Sequence, residues 1–134
     1  MTPSLETAER MARKKVELFN GEPIVIYYEF DESALESSEL NVLVYPEKAT
    51  AEWIHFIEHN RNRNKNTGSH TFDIVRGPIA DDGVAVQLEK VRRHADQAEL
   101  IALDLQDKYL DQQIYFGTLR SLKYLKKISV CRLK

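Results

Sequence analysis

Histidines and carboxylates come first, because they carry most metal and proton chemistry. His55, Phe56, Ile57, Glu58 and His59 fit H-x-x-E-H, an inverted zinc-protease pattern. On a helix, the i and i+4 spacing puts both imidazoles on one face, as zinc requires. A catalytic zinc also needs a third protein ligand, and nothing downstream supplies one. Phe56 and Ile57 join Trp53 in an apolar stripe, which leaves the histidines on the flank facing water. No metal is expected. Asp73, Asp81 and Asp82 form a second acidic group, with a metal or a general base as the chemistry to consider. Asp81 and Asp82 stand just ahead of an apolar-periodic segment through Val84, Leu88 and Val91. There their carboxylates can accept the orphan N–H groups of a helix start, which accounts for both their position and their type. Cys131 falls late in a terminal strand and reads as a small packed residue, not a nucleophile. Neither a Ser-His-Asp set nor a glycine-rich phosphate loop is present.

The elements that must position these groups begin with residues 71–83, TFDIVRGPIADDG. Phe72 and Ile74 alternate with Asp73 and Val75, as a pleated strand requires. Gly77-Pro78 is expected to stop that strand, and a helix follows over 84–93. Upstream, Thr2 and Pro3 suit a helix start, Leu5, Ala8, Ala12, Val16 and Phe19 form its stripe, and Asn20-Gly21 gives a left-handed stop. Residues 23–30, PIVIYYEF, predict a strand buried on both faces or nearly so. Residues 31–39 read as a loop or a short helical turn, 40–45 as a second strand, and 47–60 as a helix. Residues 61–70, RNRNKNTGSH, have no apolar anchor and predict an exposed loop. Its three cations suit phosphates. It lacks the interleaved aromatics that stack bases, so weak nucleic-acid or anion binding through residues 61–70 is a minor alternative. A helix over 98–107, a strand over 113–116, a helix capped by Thr118 over Leu119, Leu122 and Leu125, and a strand over 128–133 complete the chain.

With 134 residues, no internal repeat and no low-complexity tract, a single domain spanning 1–134 is expected. The net charge of −2 mixes both signs and marks neither a nucleic-acid binder nor an anionic-membrane binder. No apolar run reaches the length of a bilayer span, and residues 1–10 lack a signal-peptide core. One cysteine excludes an internal disulfide and suits a reducing compartment, so the cytoplasm is the default.

Four separated pieces carry a resemblance: YEFDE at 28–32, EWIHFIEHNR at 52–61, DIVRGPIADD at 73–82, and Q-I-Y-F-G-T-x-x-S-L-K-Y-L from Gln113 to Leu125. In this order and at this spacing they resemble an uncharacterised bacterial family, a domain of unknown function placed in the ADP-ribosyltransferase-like superfamily. Residues 2–13 resemble the family's first helix, so the likeness covers nearly the whole chain.

The resemblance implies an α+β fold, with a curved, mostly antiparallel sheet of about five strands and helices packed on it. It also implies cleavage of the nicotinamide–ribose bond of NAD, with transfer of ADP-ribose, as in bacterial toxin and effector systems. Such chemistry passes through an oxocarbenium-like state. The site must hold the ribose hydroxyls, stack the nicotinamide and stabilise positive charge. Three contributors are implied: a Tyr-His-Gly-Ser-like strand, an aromatic Gly-Phe-Tyr-Thr-like segment, and a Gln or Glu opening a late strand. Only the last has a counterpart here, Gln113, with Tyr115 and Phe116 lining or backing it. Gly117 departs from the His that often precedes the Thr. The chain is therefore expected to be the C-terminal four-fifths of such a domain, N-terminally incomplete and inactive by itself, with no NAD bound. The alternative is a non-catalytic interaction module, with a protein partner or self-association covering an exposed sheet edge.

Overall fold

The computed structural model describes residues 1–61, 71–80, 82–106 and 110–134. Among them five helices and five strands form an α+β fold, in the order α1 (Leu5–Phe19), β1 (Ile24–Phe30), β2 (Val42–Val44), α2 (Ala51–Arg61), β3 (Ile74–Pro78), α3 (Asp82–Arg93), α4 (Ala98–Gln106), β4 (Gln112–Phe116), α5 (Leu119–Leu122) and β5 (Leu125–Arg132). The strands do not join into the single five-stranded sheet expected. They divide into a two-stranded sheet, β1-β5, and a three-stranded sheet, β2-β3-β4. The residues also cluster into two compact units: Met1–Leu43, Phe72–Val75 and Gln113–Lys134 form one, and Val44–Thr71 with Arg76–Gln112 form the other. None of the described helices is long and apolar enough to cross a membrane.

In the first unit, Ser4, not Thr2, caps α1. Its hydroxyl accepts the Thr7 N–H at 3.2 Å, while the Thr2 hydroxyl accepts from the Ser4 N–H. Asn20 and Gly21 end the helix at φ 62° and 103°, the left-handed stop the sequence implies. β1 and β5 are antiparallel, with Ile26 opposite Val130 and a bulge between Tyr27 and Tyr28. β1 is not buried on both faces. Val25 is buried, but Ile24, Ile26 and Tyr28 are exposed, because no described element covers that side of the two-stranded sheet. Cys131 is exposed rather than packed. The core here is small: Ala34, Leu40 and Ile74, flanked by Phe30, Leu35, Val42, Ile114, Phe116 and Tyr124. Residues 32–36 form a 3₁₀ turn capped by Asp31, whose carboxylate accepts the Ser33 N–H. Hydrogen bonding to the Ser33 side chain, and then to its N–H, holds the Asp31 carboxyl below its ordinary pKa.

The second unit holds the larger core, built on Trp53, Ile54, Val84, Leu88, Val91, Ile101 and Leu105. The helical stripe at Val84, Leu88 and Val91 is buried as its spacing implies. Thr50 caps α2, accepting the Trp53 N–H on its hydroxyl. A 3₁₀ turn, Ala95–Gln97, occupies the break between α3 and α4. Asp81 and the side chain of Asp82 lie outside the described residues, as does the loop 62–70.

Gly77-Pro78 does not stop β3; both residues belong to it. The Tyr45 N–H donates to the Arg76 carbonyl, and the Asp73 N–H to the Asn41 carbonyl. Both strands advance together, so β2 and β3 are parallel. On the other side the Ile79 N–H donates to the Asp111 carbonyl and the Gly117 N–H to the Asp73 carbonyl, which makes β3 and β4 antiparallel. Pro78 cannot donate the next bond toward β2. It therefore ends the pairing with β2, while the pairing with β4 runs on to Ile79.

Candidate functional site

The Asp73 side chain is the hub of a hydrogen-bond network in the first unit. It is fully buried just ahead of β3, where a carboxylate needs a reason to be. Four donors meet its two oxygens. Oδ1 accepts from the Thr118 hydroxyl at 2.5 Å and Arg120 Nε at 2.7 Å; Oδ2 accepts from the Asn41 N–H and Arg120 Nη2, both at 2.7 Å. The guanidinium fork thus grips the carboxylate in the bidentate geometry that arginine favours. The Arg120 hydrogen bonds, then that of Thr118, hold the Asp73 carboxyl far below the usual carboxylate range, against the cost of burial. Asp73 in turn raises the pKa of Arg120. Every lone-pair direction of the carboxylate is taken. Asp73 is accordingly neither a general base nor a metal ligand. It is an anchor.

What it anchors is the exit of β4. The Asp73 carbonyl accepts the Gly117 N–H, and its carboxylate holds Thr118 and Arg120 just beyond. Thr118 sits at the helix-cap position of α5, but its hydroxyl is spent on Asp73 and makes no cap bond. The connection continues through Ser121, whose buried hydroxyl donates to the Thr118 carbonyl, and through Tyr124, whose carbonyl accepts the Asp31 N–H. Leu119 and Leu122 of this helix are exposed, Leu119 by 87%. The four-residue α5 is held by polar bonds.

β4 presents Gln113, Tyr115 and Phe116, the residues singled out by resemblance. The pleat divides them. Ile114 and Phe116 point into the small core, with the Phe116 ring edge-on to Phe30 at 5.3 Å between centroids. Gln113, half-buried, and Tyr115, 48% exposed, share the opposite face. Phe116 backs the strand; Tyr115 is the ring beside Gln113. Gln112, not Gln113, opens β4, and its amide donates to the carbonyls of Glu47 and Leu110. The Ile114 N–H and carbonyl are bridged to the backbone of Met1.

Gly117 completes the exposed row. A methyl group there would lie 2.6 Å from Tyr115 Cε1, 3.1 Å from its hydroxyl and 2.9 Å from the Phe72 carbonyl oxygen. The tyrosine can swing away; the carbonyl is fixed by the backbone. Gly117→Ala is therefore expected to destabilise by about 1–3 kcal/mol, the usual range for overpacking. It should also displace the Tyr115 ring resonances in NMR spectra. A variant as stable as the parent, with unmoved Tyr115 signals, would refute this close approach.

Among the described residues no group of three or more His, Cys, Asp or Glu side chains could hold a metal ion. His55 and His59 are exposed on α2, whereas Glu58 between them is buried. The H-x-x-E-H pattern thus does not present its three side chains to one ion. A shallow groove of about 320 Å³ lies beside His55, lined also by Glu52, Asp96 and Glu99. The cationic loop considered for phosphates falls outside the described residues beyond residue 61.

Sequence reasoning passed over Arg120 and read Thr118 only as a helix cap. Forty-seven and forty-five positions separate them from Asp73. The one available signal was Asp73 itself, a carboxylate within a predicted strand. A family model described as a protein of unknown function (DUF3990) matches residues 1–127. No curated protein and no solved structure matches the chain.

Proposed function

The chain belongs to the DUF3990 family, and we propose that it is an ADP-ribosyltransferase-like domain of the bacterial toxin or effector kind, with Gln113 as its catalytic-face amide. The four-piece resemblance motivates this reading. The observation that carries it is the pairing of Gln113 with the partly exposed Tyr115 ring on one face of β4, backed by Phe116. An amide can hydrogen-bond a ribose hydroxyl. A tyrosine ring offers an apolar face to stack nicotinamide, with its hydroxyl left to water. These groups suit the nicotinamide–ribose end of NAD and nothing further along it. When bound, NAD would supply the scissile glycosidic bond; the chain's part is to orient the ribose and shield the ring. The Asp73 knot serves that task by fixing the end of β4.

The test is NAD cleavage by the full gene product and by its Gln113→Ala variant. Loss of cleavage with an unchanged melting temperature is the expected result. Cleavage at the parental rate would remove Gln113 from the site.

A second reading, a non-catalytic interaction module, is favoured by a different observation. The β1-β5 sheet turns a row of apolar side chains to solvent, which is where proteins meet other proteins.

A further inference from the structure

The Met1 backbone lies on β4 as a strand does. Its nitrogen donates to the Ile114 carbonyl at 3.1 Å, and its carbonyl accepts the Ile114 N–H at 2.7 Å. Two residues that exchange both bonds form the hydrogen-bonded pair of an antiparallel ladder. The edge they occupy is the outer one. The Gly117 N–H donates to the Asp73 carbonyl, on the β3 side. Backbone groups alternate from edge to edge along a strand, so those of Ile114 and Phe116 face away from β3. Beyond Met1 the chain turns through Thr2 and Pro3 into the Ser4 cap of α1, so the ladder can continue only toward Phe116. Among the described residues nothing bonds to the Phe116 N–H or carbonyl.

We infer that polypeptide joined to the Met1 nitrogen is held on this edge as a further antiparallel strand, in the register that Met1 sets. Counting back from Met1, the first residue stands opposite Tyr115, the second opposite Phe116 and the third opposite Gly117. The second exchanges both backbone bonds with Phe116. Pairing stops at Thr118, whose carbonyl is taken by the Ser121 N–H and hydroxyl. A strand this short binds weakly as a free peptide, and continuity with Met1 supplies the effective concentration that holds it. The position also suits a peptide group better than an amine. Partial burial lowers the pKa of the Met1 α-amino group, so its charge is disfavoured there. A peptide N–H makes the same bond to Ile114 with no charge to desolvate. Only what the strand does rests on the transferase-like reading. Cross-strand partners share a face, so its first and third residues stand beside Tyr115 and Gly117, on the face of Gln113. The strand thereby walls that row on the side away from β3.

The experiment compares the full chain with the same chain carrying Thr-Val-Thr-Val-Thr joined to Met1, by amide hydrogen exchange and NMR spectroscopy. The valine nearer Met1 then stands opposite Phe116. The Ile114 amide should be protected in both proteins, and the Phe116 amide should exchange more slowly, by roughly tenfold or more, once the extension is present. The threonine next to Met1 forms a non-hydrogen-bonded pair with Tyr115, Cα atoms about 4.5 Å apart, so their Hα protons should give a cross-peak. A Phe116 amide that exchanges equally fast in both proteins, with no such cross-peak, would overturn the inference. Proline in place of that valine removes the N–H that the Phe116 carbonyl accepts, and should cancel the protection. Protection that survives the proline would overturn the pairing. Protection that rises with protein concentration would overturn the continuous strand and assign the edge to a separate chain. Strand pairing without NAD cleavage by the full gene product would remove the transferase-like reading and leave the edge assignment standing.

Discussion

Asp73→Asn is expected to lower the melting temperature by roughly 10 °C or more, the scale for losing several charge-assisted hydrogen bonds in a chain of this size. The substitution keeps the shape of the side chain but turns one acceptor oxygen into an NH₂ donor. At either position that group faces Arg120, together with the Thr118 hydroxyl on one side or the Asn41 N–H on the other, all at 2.5–2.7 Å. A buried donor is then set against a donor, and the arginine loses its counter-ion. Arg120→Leu should cost less than Asp73→Asn, because the guanidinium is 53% exposed and its loss leaves two donors on the carboxylate. The double variant should fall short of the sum of the two, since both remove one shared interaction.

The pH dependence has a defined sign. The folded-state pKa of Asp73 is depressed, so its contribution is complete above the unfolded carboxylate value of about 3.9 and is lost as pH falls toward the folded value. The stability difference between parent and Asp73→Asn should therefore stay level from pH 8 to pH 5 and shrink between about pH 4 and pH 2. Urea denaturation across that series is the measurement. A difference that persists undiminished at pH 2 would mean that Asp73 acts through shape alone.

How much of this was legible in the sequence depends on the range of the interaction. Local signals served well. The left-handed stop at Asn20-Gly21, the buried stripe of Val84, Leu88 and Val91, and the exposed histidines of α2 all follow from spacing within one or two turns. The Tyr115–Phe116 alternation was also readable, and it places the two rings on opposite sides of β4. What failed was pairing at a distance. Apolar residues at 23–30 read as doubly buried because composition does not reveal that the sheet has only two strands. Gly77-Pro78 read as a stop because the local rule cannot tell that pairing ends on one side of β3 and continues on the other. Thr118 looked like a helix cap, and nothing near it in sequence announces that a carboxylate forty-five positions earlier takes its proton donor. The candidate row on β4 was found by resemblance; its anchor was visible only in three dimensions.

The second large effect belongs to Trp53. Trp53→Ala is expected to destabilise by about 3–5 kcal/mol, the range for emptying a buried indole from a packed core. The side chain is 1% exposed and sits beside Ile54 and Ala49 in the apolar cluster of the second unit. Its Cδ1 is close enough to Gly77 that an added methyl there would touch it at 3.5 Å, and Tyr45 Cβ at 3.3 Å. The wall around the indole is thus partly strand backbone, which cannot move in to fill the space. That argues for the upper part of the range, because cost rises with the volume that stays empty. Trp53→Phe keeps an aromatic ring and should cost less than half as much, leaving a smaller void against Gly77. Trp53 is the one tryptophan of the chain, so its own fluorescence cannot follow the variants. Urea denaturation followed by circular dichroism compares all three proteins on one scale. A cost below about 1 kcal/mol for Trp53→Ala would show that the site collapses freely, contrary to a wall built from β3.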